Sequence, residues 1–329
     1  MLKKIALLTA VLFVFMTTSA FAADLMKLIP AETAFVLHLN LSKILTNENV
    51  KKSIDENMAK QTPEQKKAYD EFIQKTGIDP LKSITEVMVF VADKSEKKDK
   101  PDAAVLFNGT FDKNKILEAI KADPKAKEET IIEKFEGFDA IKSKKQDEGT
   151  GVFLDDTTAI VGTAAPIKSV IEVKNGKAKD LGTNEKFVSL MKKIDTAANL
   201  WGAGVIPEAL KAQAKANPQA APLANVNTVC FSFNFDKDIT FNFMGEVDKK
   251  ENMDQVMTAL NGFLAMVKMI AGQTPEAAEV LNLIKVEADG TTAKISMQVA
   301  KEKLDEIKKK IEERMKAGGA APVQAPEGK

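Results

Sequence analysis

Cysteine, arginine and histidine each occur once in this chain, as Cys230, Arg314 and His38. A single cysteine rules out an internal disulfide, so the fold must be held by packing even in an oxidising compartment. With no cysteine near the leader, lipid attachment at that point is excluded as well. A single arginine leaves almost no capacity for forked recognition of phosphates or carboxylates. One histidine cannot build a histidine-rich zinc site. No glycine-rich loop between strand and helix resembles a nucleotide cradle, and no nucleophile elbow or serine–lysine signature occurs. Beyond residue 22 no apolar run is long enough to span a bilayer.

The most informative segment present is the first, MLKKIALLTAVLFVFMTTSAFA. A basic start, an apolar middle and small residues at Ala20 and Ala22 read as a secretory signal peptide cut before Ala23. The mature chain would then hold 307 of the 329 residues and be exported, to periplasm or medium. Loss of Lys3 and Lys4 leaves 45 basic against 47 acidic groups. A charge so balanced selects neither nucleic acid nor an anionic membrane.

Alternation and turn residues predict an α+β chain. A strand over 34–40 precedes a helical region, in which Thr62-Pro63-Glu64-Gln65 has the form of a capping box. Gly77-Ile78-Asp79-Pro80 ends that helix. Strands are expected over 86–92 and 103–108, around a charged loop at 95–100. A helix follows over 112–122, extended pairs over 130–144 and 152–161, and a short helix over 165–173. Past 174–182, a helix over 184–198, a strand over 200–206 and a short helix from Pro207 are expected. The clearest hairpin joins 228–235 to 239–247. A long helix from Asp248 resumes at Thr274-Pro275. A hairpin around Asp289-Gly290 and a helix over 301–316 complete the chain, with a disordered tail over 317–329.

The order of elements repeats. That predicts two related modules, 23–176 and 183–316, each with a mostly antiparallel sheet packed on one face by helices. Whether they share one sheet stays open. In the later hairpin, Val229, Phe231, Phe233 and Phe235 with Ile239, Phe241, Phe243 and Val247 are expected as core. Val256, Leu260, Phe263, Leu264, Val267 and Ile270 of the long helix would cover them.

The opposite rows carry Thr228, Cys230, Ser232 and Asn234, then Thr240, Asn242, Met244 and Glu246. Small neutral polar groups suit solvent, a partner or a ligand. His38 and Asn40 fall on a similar face. The candidate surface is therefore His38, Asn40, Cys230, Ser232, Asn234, Thr240, Asn242 and Met244. No catalytic or metal-binding residue stands out and no cofactor is implied. Asp155 and Asp156 lack the alternating ligands of a calcium loop. Glu133, Glu136 and Asp139 read as surface acids, and Gly149-Thr150-Gly151 as a turn. Met253, Met257, Met266 and Met269 either fill core gaps or meet apolar partners.

These features favour a noncatalytic exported envelope protein that binds a partner or has a structural role. The alternative is a periplasmic carrier or chaperone for a lipid or apolar peptide, held between the long helix and the sheet. A carboxylate-dependent enzyme is the third reading.

Overall fold

The protein is described by a computed structural model, which covers residues 25–79, 81–92, 102–145, 149–271 and 274–316. The leader over 1–22, the charged loop over 95–100 and the tail over 317–329 lie outside the described residues. The chain divides between Val205 and Ile206 into two compact units.

The N-terminal unit contains β1 (Thr33–Asn40), α1 (Leu41–Thr46), α2 (Glu48–Ala59), α3 (Pro63–Thr76), β2 (Ile84–Ala92) and β3 (Ala103–Gly109). After these come α4 (Lys113–Ala122), α5 (Pro124–Glu129), β4 (Thr130–Phe135), β5 (Phe138–Ser143), β6 (Thr150–Phe153) and β7 (Thr158–Gly162). It closes with α6 (Ala164–Lys174), α7 (Glu185–Met191) and β8 (Leu200–Val205). Its strands run in the order β8-β1-β2-β3-β7-β6-β5-β4. The registered pairs are all antiparallel.

Local chemistry sets the helix ends. The Gln65 amide donates to the Thr62 hydroxyl and the Thr62 amide to the Gln65 side chain, while Pro63 opens α3. Gly77 stops the helix with φ 74°, where a side chain would be strained. At the other end of the unit, Gly204 lets β8 lie close to β1. A Cβ there would sit 2.4 Å from the Ala34 carbonyl oxygen.

The best-buried sheet face carries Val36, His38, Met88, Phe90, Leu106, Ile160 and Trp201. Ile167, Val170 and Ile171 of α6 and Phe187 and Leu190 of α7 are buried with it. Each large side chain fully removed from water contributes about 1.5–3 kcal/mol. Toward one end of the other face, Leu39, Val87 and Phe107 pack on a smaller cluster built from Leu41 of α1, Ile84 of β2, Phe111 ahead of α4 and Ile116 within α4.

The C-terminal unit contains α8 (Glu208–Ala216), β9 (Val226–Asn234), β10 (Ile239–Val247), α9 (Met253–Ala271), α10 (Pro275–Leu281), β11 (Lys285–Asp289), β12 (Thr292–Val299) and α11 (Lys301–Lys316). Its strands run β11-β12-β10-β9, again antiparallel. Val226, Val247, Met253, Val256 and Ala293 form its core cluster. Salt bridges tie α10 to α11: Glu279 meets Lys303 and Lys310, and Arg314 reaches Glu276 at 2.7 Å. No helix among the described residues is long and apolar enough to cross a membrane.

The α+β class with antiparallel sheets is as the sequence implies, but the internal duplication is not confirmed. The units hold eight and four strands. The strand over 200–205, expected to open a second module at 183, pairs with β1 and so belongs to the first unit. The helix expected over 184–198 ends at Met191. Beyond it, the Asp195 carboxylate accepts from the Ala197 amide and offers the chain a turn in place of helix. Thr150 and Gly151 are not a turn; they lie in β6, paired with Lys142 and Ile141.

Candidate functional site

His38 sits at the centre of β1, opposite Met88 of β2 and Trp201 of β8. The sequence places it on a polar face beside Asn40, yet His38 and Trp201 are both fully buried. Their rings stack with centroids 5.0 Å apart and planes inclined by 28°. The Glu86 carboxylate lies 3.8 Å from His38 Nε2, beyond hydrogen-bonding reach. Both ring nitrogens of His38, Oε2 of Glu86 and Nε1 of Trp201 are buried without a hydrogen-bond partner among the described residues. Polar atoms in that state each cost about 1–3 kcal/mol. Next to His38, the register sets Asn40, Glu86, Asn108 and Thr158 in one row across β1, β2, β3 and β7, all buried. Asn40 is satisfied there, its side-chain oxygen accepting from the Lys43 amide as the cap of α1.

Trp201 also lines an apolar cleft of about 350 Å³. Met26, Leu181, Phe187, Val188 and Met191 form its other apolar walls, and Lys192 and Thr196 supply the polar groups. Asn184 starts α7 by accepting from the Lys186 and Phe187 amides, which sets Phe187, Val188 and Met191 along the cleft. A second cleft of about 580 Å³ lies between α6 and the ends of β1 and β2, with Glu32, Asp102, Glu172 and Lys179 among its lining. A third, of about 390 Å³, is a surface groove between α2 and α3 beside Tyr69. Neither His38 nor Glu86 lines any of the three.

The other six candidate residues lie in the C-terminal unit. Cross-strand register pairs Cys230 with Met244, Ser232 with Asn242 and Asn234 with Thr240. Cys230 and Ser232 are buried, Asn234, Thr240 and Met244 half-buried, and Asn242 exposed. A uniformly solvent-facing row is therefore not what forms.

The aromatic rows on the opposite face are also unlike the expectation. Phe231, Phe233, Phe241 and Phe243 are half-buried and none joins the core. The physical reason is the placement of α9, which packs on β11, β12 and the 221–225 turn rather than across β9 and β10. Only its first turns, through Val256 and Leu260, reach the core cluster. Phe263 and Ile270, expected as cover, are 61% and 62% exposed, and Met266 and Met269 are 42% and 73% exposed.

The acids read as surface groups are engaged by lysines. Lys113 and Lys134 each lie 2.8 Å from Asp139 and hold its carboxyl down to about 2. Burial works against ionisation of Asp155, but Lys174 at 2.7 Å and the Thr157 amide outweigh it and keep that carboxyl below its ordinary range. Among the described residues, no group of three or more His, Cys, Asp or Glu side chains could hold a metal ion.

Glu86 and Trp201 were not singled out by sequence, although a signal exists. Glu86 is in phase with Met88 and Phe90 in a strand of period two, so it shares their burial. Trp201 is the sole tryptophan and stands in Leu-Trp-Gly-Ala-Gly-Val, where small neighbours leave space for its ring. No protein-family model, curated protein or solved structure matches this chain.

Proposed function

We propose that this is a noncatalytic exported protein whose C-terminal unit binds an apolar helix of a protein partner. The observation that carries the reading is the second half of α9. Val256, Ala259, Phe263, Met266 and Ile270 follow one another at spacings of three and four, the seam of a helix that packs on a helix. Val256 is buried in the unit's own core, while Phe263, Met266 and Ile270 continue the seam into solvent. Uncovered large side chains at this spacing are unfavourable unless something else covers them. Asp254 and Lys268 are the only charged residues in α9, so shape and apolar area, not charge, would choose the partner. Two methionines in the exposed stretch can adapt to its side chains. Export rests on the composition of residues 1–22. The noncatalytic reading is supported by a histidine and glutamate sealed away from the clefts and by acids neutralised by lysines.

The test is native mass spectrometry of the protein purified gently from its source, alongside a Phe263→Ser/Met266→Ser variant. The expected result is a reproducible partner mass that the variant loses while its circular dichroism stays unchanged. A bare monomer, or a partner held equally by the variant, sinks the proposal. The intact mass also reports the leader: a chain beginning at Ala23 supports export, and one retaining Met1 contradicts cleavage.

A further inference from the structure

We propose that the partner of the C-terminal unit is a second copy of this chain, joined by antiparallel pairing of β11 with β11 about a two-fold axis at Val286. This rests on the reading of α9 as a partner surface and names the helix that covers it, the α9 of the second copy. It adds an observation from a different element, the open edge of the sheet.

β11 is the last strand of its sheet, and β12 is its one neighbour among the described residues. Gly290 and Thr291 form a two-residue loop, so the closing pair Asp289 and Thr292 exchanges both backbone bonds. Counting back in twos, Glu287 and Lys285 also bond to β12, while Val286 and Ala288 turn their amides and carbonyls outward. Those outward groups have no backbone partner among the described residues. Such an edge accepts another strand, and charge selects which one. Asp289 is bridged to Lys294 at 2.7 Å, but Lys285 and Glu287 are exposed and have no ion-pair partner among the described residues. With the axis at Val286, the two Val286 residues exchange their outward bonds, and Lys285 of each copy stands opposite Glu287 of the other. Moving the axis to Lys285, Glu287 or Ala288 sets lysine against lysine, Glu287 against Glu287, or Glu287 against Asp289. Like charges directly opposite repel. The other face brings in α9. Val286 and Ala288 share a sheet face with Ile295 and Ala293, and Ala293 packs with Met253 and Val256 of α9. A two-fold axis perpendicular to the sheet keeps both α9 helices on that face, antiparallel to each other. Their seams of Phe263, Met266 and Ile270 are exposed and cover one another there. A five-residue edge is short for holding two chains alone, and the seams supply the apolar area. An interface of this size is expected to bind in the micromolar range, so each copy folds without it.

The mature full-length chain, purified alone, is followed by sedimentation velocity between about 1 and 200 µM. The expected result is a reversible monomer–dimer equilibrium with no larger species, because the pairing closes on itself. Glu287→Lys, which sets Lys opposite Lys285 twice in the dimer, should weaken it by about tenfold or more. Lys285→Glu should do the same. The double variant Lys285→Glu/Glu287→Lys restores opposite charges and should return to within about threefold of the parent. Val286→Pro removes an outward amide that β12 does not use, so it should abolish the dimer while circular dichroism stays unchanged. Phe263→Ser/Met266→Ser should weaken the dimer by about tenfold. A dimer that survives Val286→Pro in a folded protein overturns the edge pairing. A double charge swap no better than the single variants overturns the axis at Val286. A dimer untouched by Phe263→Ser/Met266→Ser overturns the meeting of the two seams. A monomer at every concentration overturns the second copy as partner. A different protein held through Phe263 and Met266 in the native preparation would then leave the α9 surface standing, so the two failures are told apart.

Discussion

The two units use the same materials, antiparallel strands and amphipathic helices, and finish them differently. In the N-terminal unit, α6 and α7 close over the sheet so completely that a histidine, a glutamate and a tryptophan N–H are buried with it. In the C-terminal unit, the longest helix begins on the core and leaves it, so that phenylalanine, methionine and isoleucine meet solvent. One unit has buried polar groups that would be better solvated, and the other has exposed apolar groups that would be better covered. Both departures are informative for the same reason: each costs free energy that folding alone does not return. In the first unit the departure adjoins a cleft, and in the second it forms a seam.

The largest effect that would sharpen this contrast is expected at Trp201. Trp201→Ala should cost the N-terminal unit about 3–5 kcal/mol, while Phe263→Ala in the exposed seam should stay within about 0.5 kcal/mol. Urea midpoints check both, and equal losses would break the contrast. Next comes the buried pair. His38→Leu alone leaves Glu86 buried beside an apolar group and should destabilise. His38→Leu with Glu86→Met should recover that loss and end up about 1–4 kcal/mol above the single variant. A double-mutant cycle reads the coupling, and strictly additive losses would contradict a poorly satisfied pair.

In the C-terminal unit, Arg314→Met removes the partner of Glu276, a nearly buried carboxylate. Because Arg314 is itself partly exposed, a loss of about 1–2 kcal/mol is expected in that unit's transition. An unchanged midpoint would show that α11 docks without the pair. The smallest effect is acid sensitivity. Lys303 and Lys310 hold Glu279 down to about 2 from an ordinary value of 4.5. The folded value is lower than the unfolded one, so this contribution is complete above 4.5 and is lost as pH falls toward 2. Asp139 in the N-terminal unit behaves alike over 3.8 to about 2. The α10–α11 contact should therefore begin to loosen at the higher pH, and 1 M salt should erase most of the difference. Hydrogen exchange across 301–316 during an acid titration checks it.

Much of the fold was legible because its signals are local. The Thr62 capping box, the Gly77 stop, the Asp289-Gly290 hairpin with Gly290 at φ 61°, and the Phe231/Phe243 strand pair all depend on residues close in sequence. The sequence set His38 and Asn40 of β1 on a polar face like that of the later hairpin, opposite Phe35, Leu37 and Leu39. The polar row is sealed, and the apolar row is half-buried. For the candidate site, His38 was visible as the lone histidine, but its neighbours Glu86 and Trp201 come from strands 48 and 163 residues away. No local pattern couples such positions.

By itself, the sequence determined the α+β class, the Thr62 cap and Gly77 stop, the Asp289-Gly290 turn, the absence of disulfides, and the alternation of two faces along the strands. Each follows from backbone preference and side-chain period over a few residues. Only the tertiary structure decided that β8 pairs with β1, that His38 and Trp201 lie under helices, and that α9 carries Phe263, Met266 and Ile270 past the end of its own core. Those outcomes depend on which element arrives to cover a face, and cover is a property of packing between segments distant in the chain.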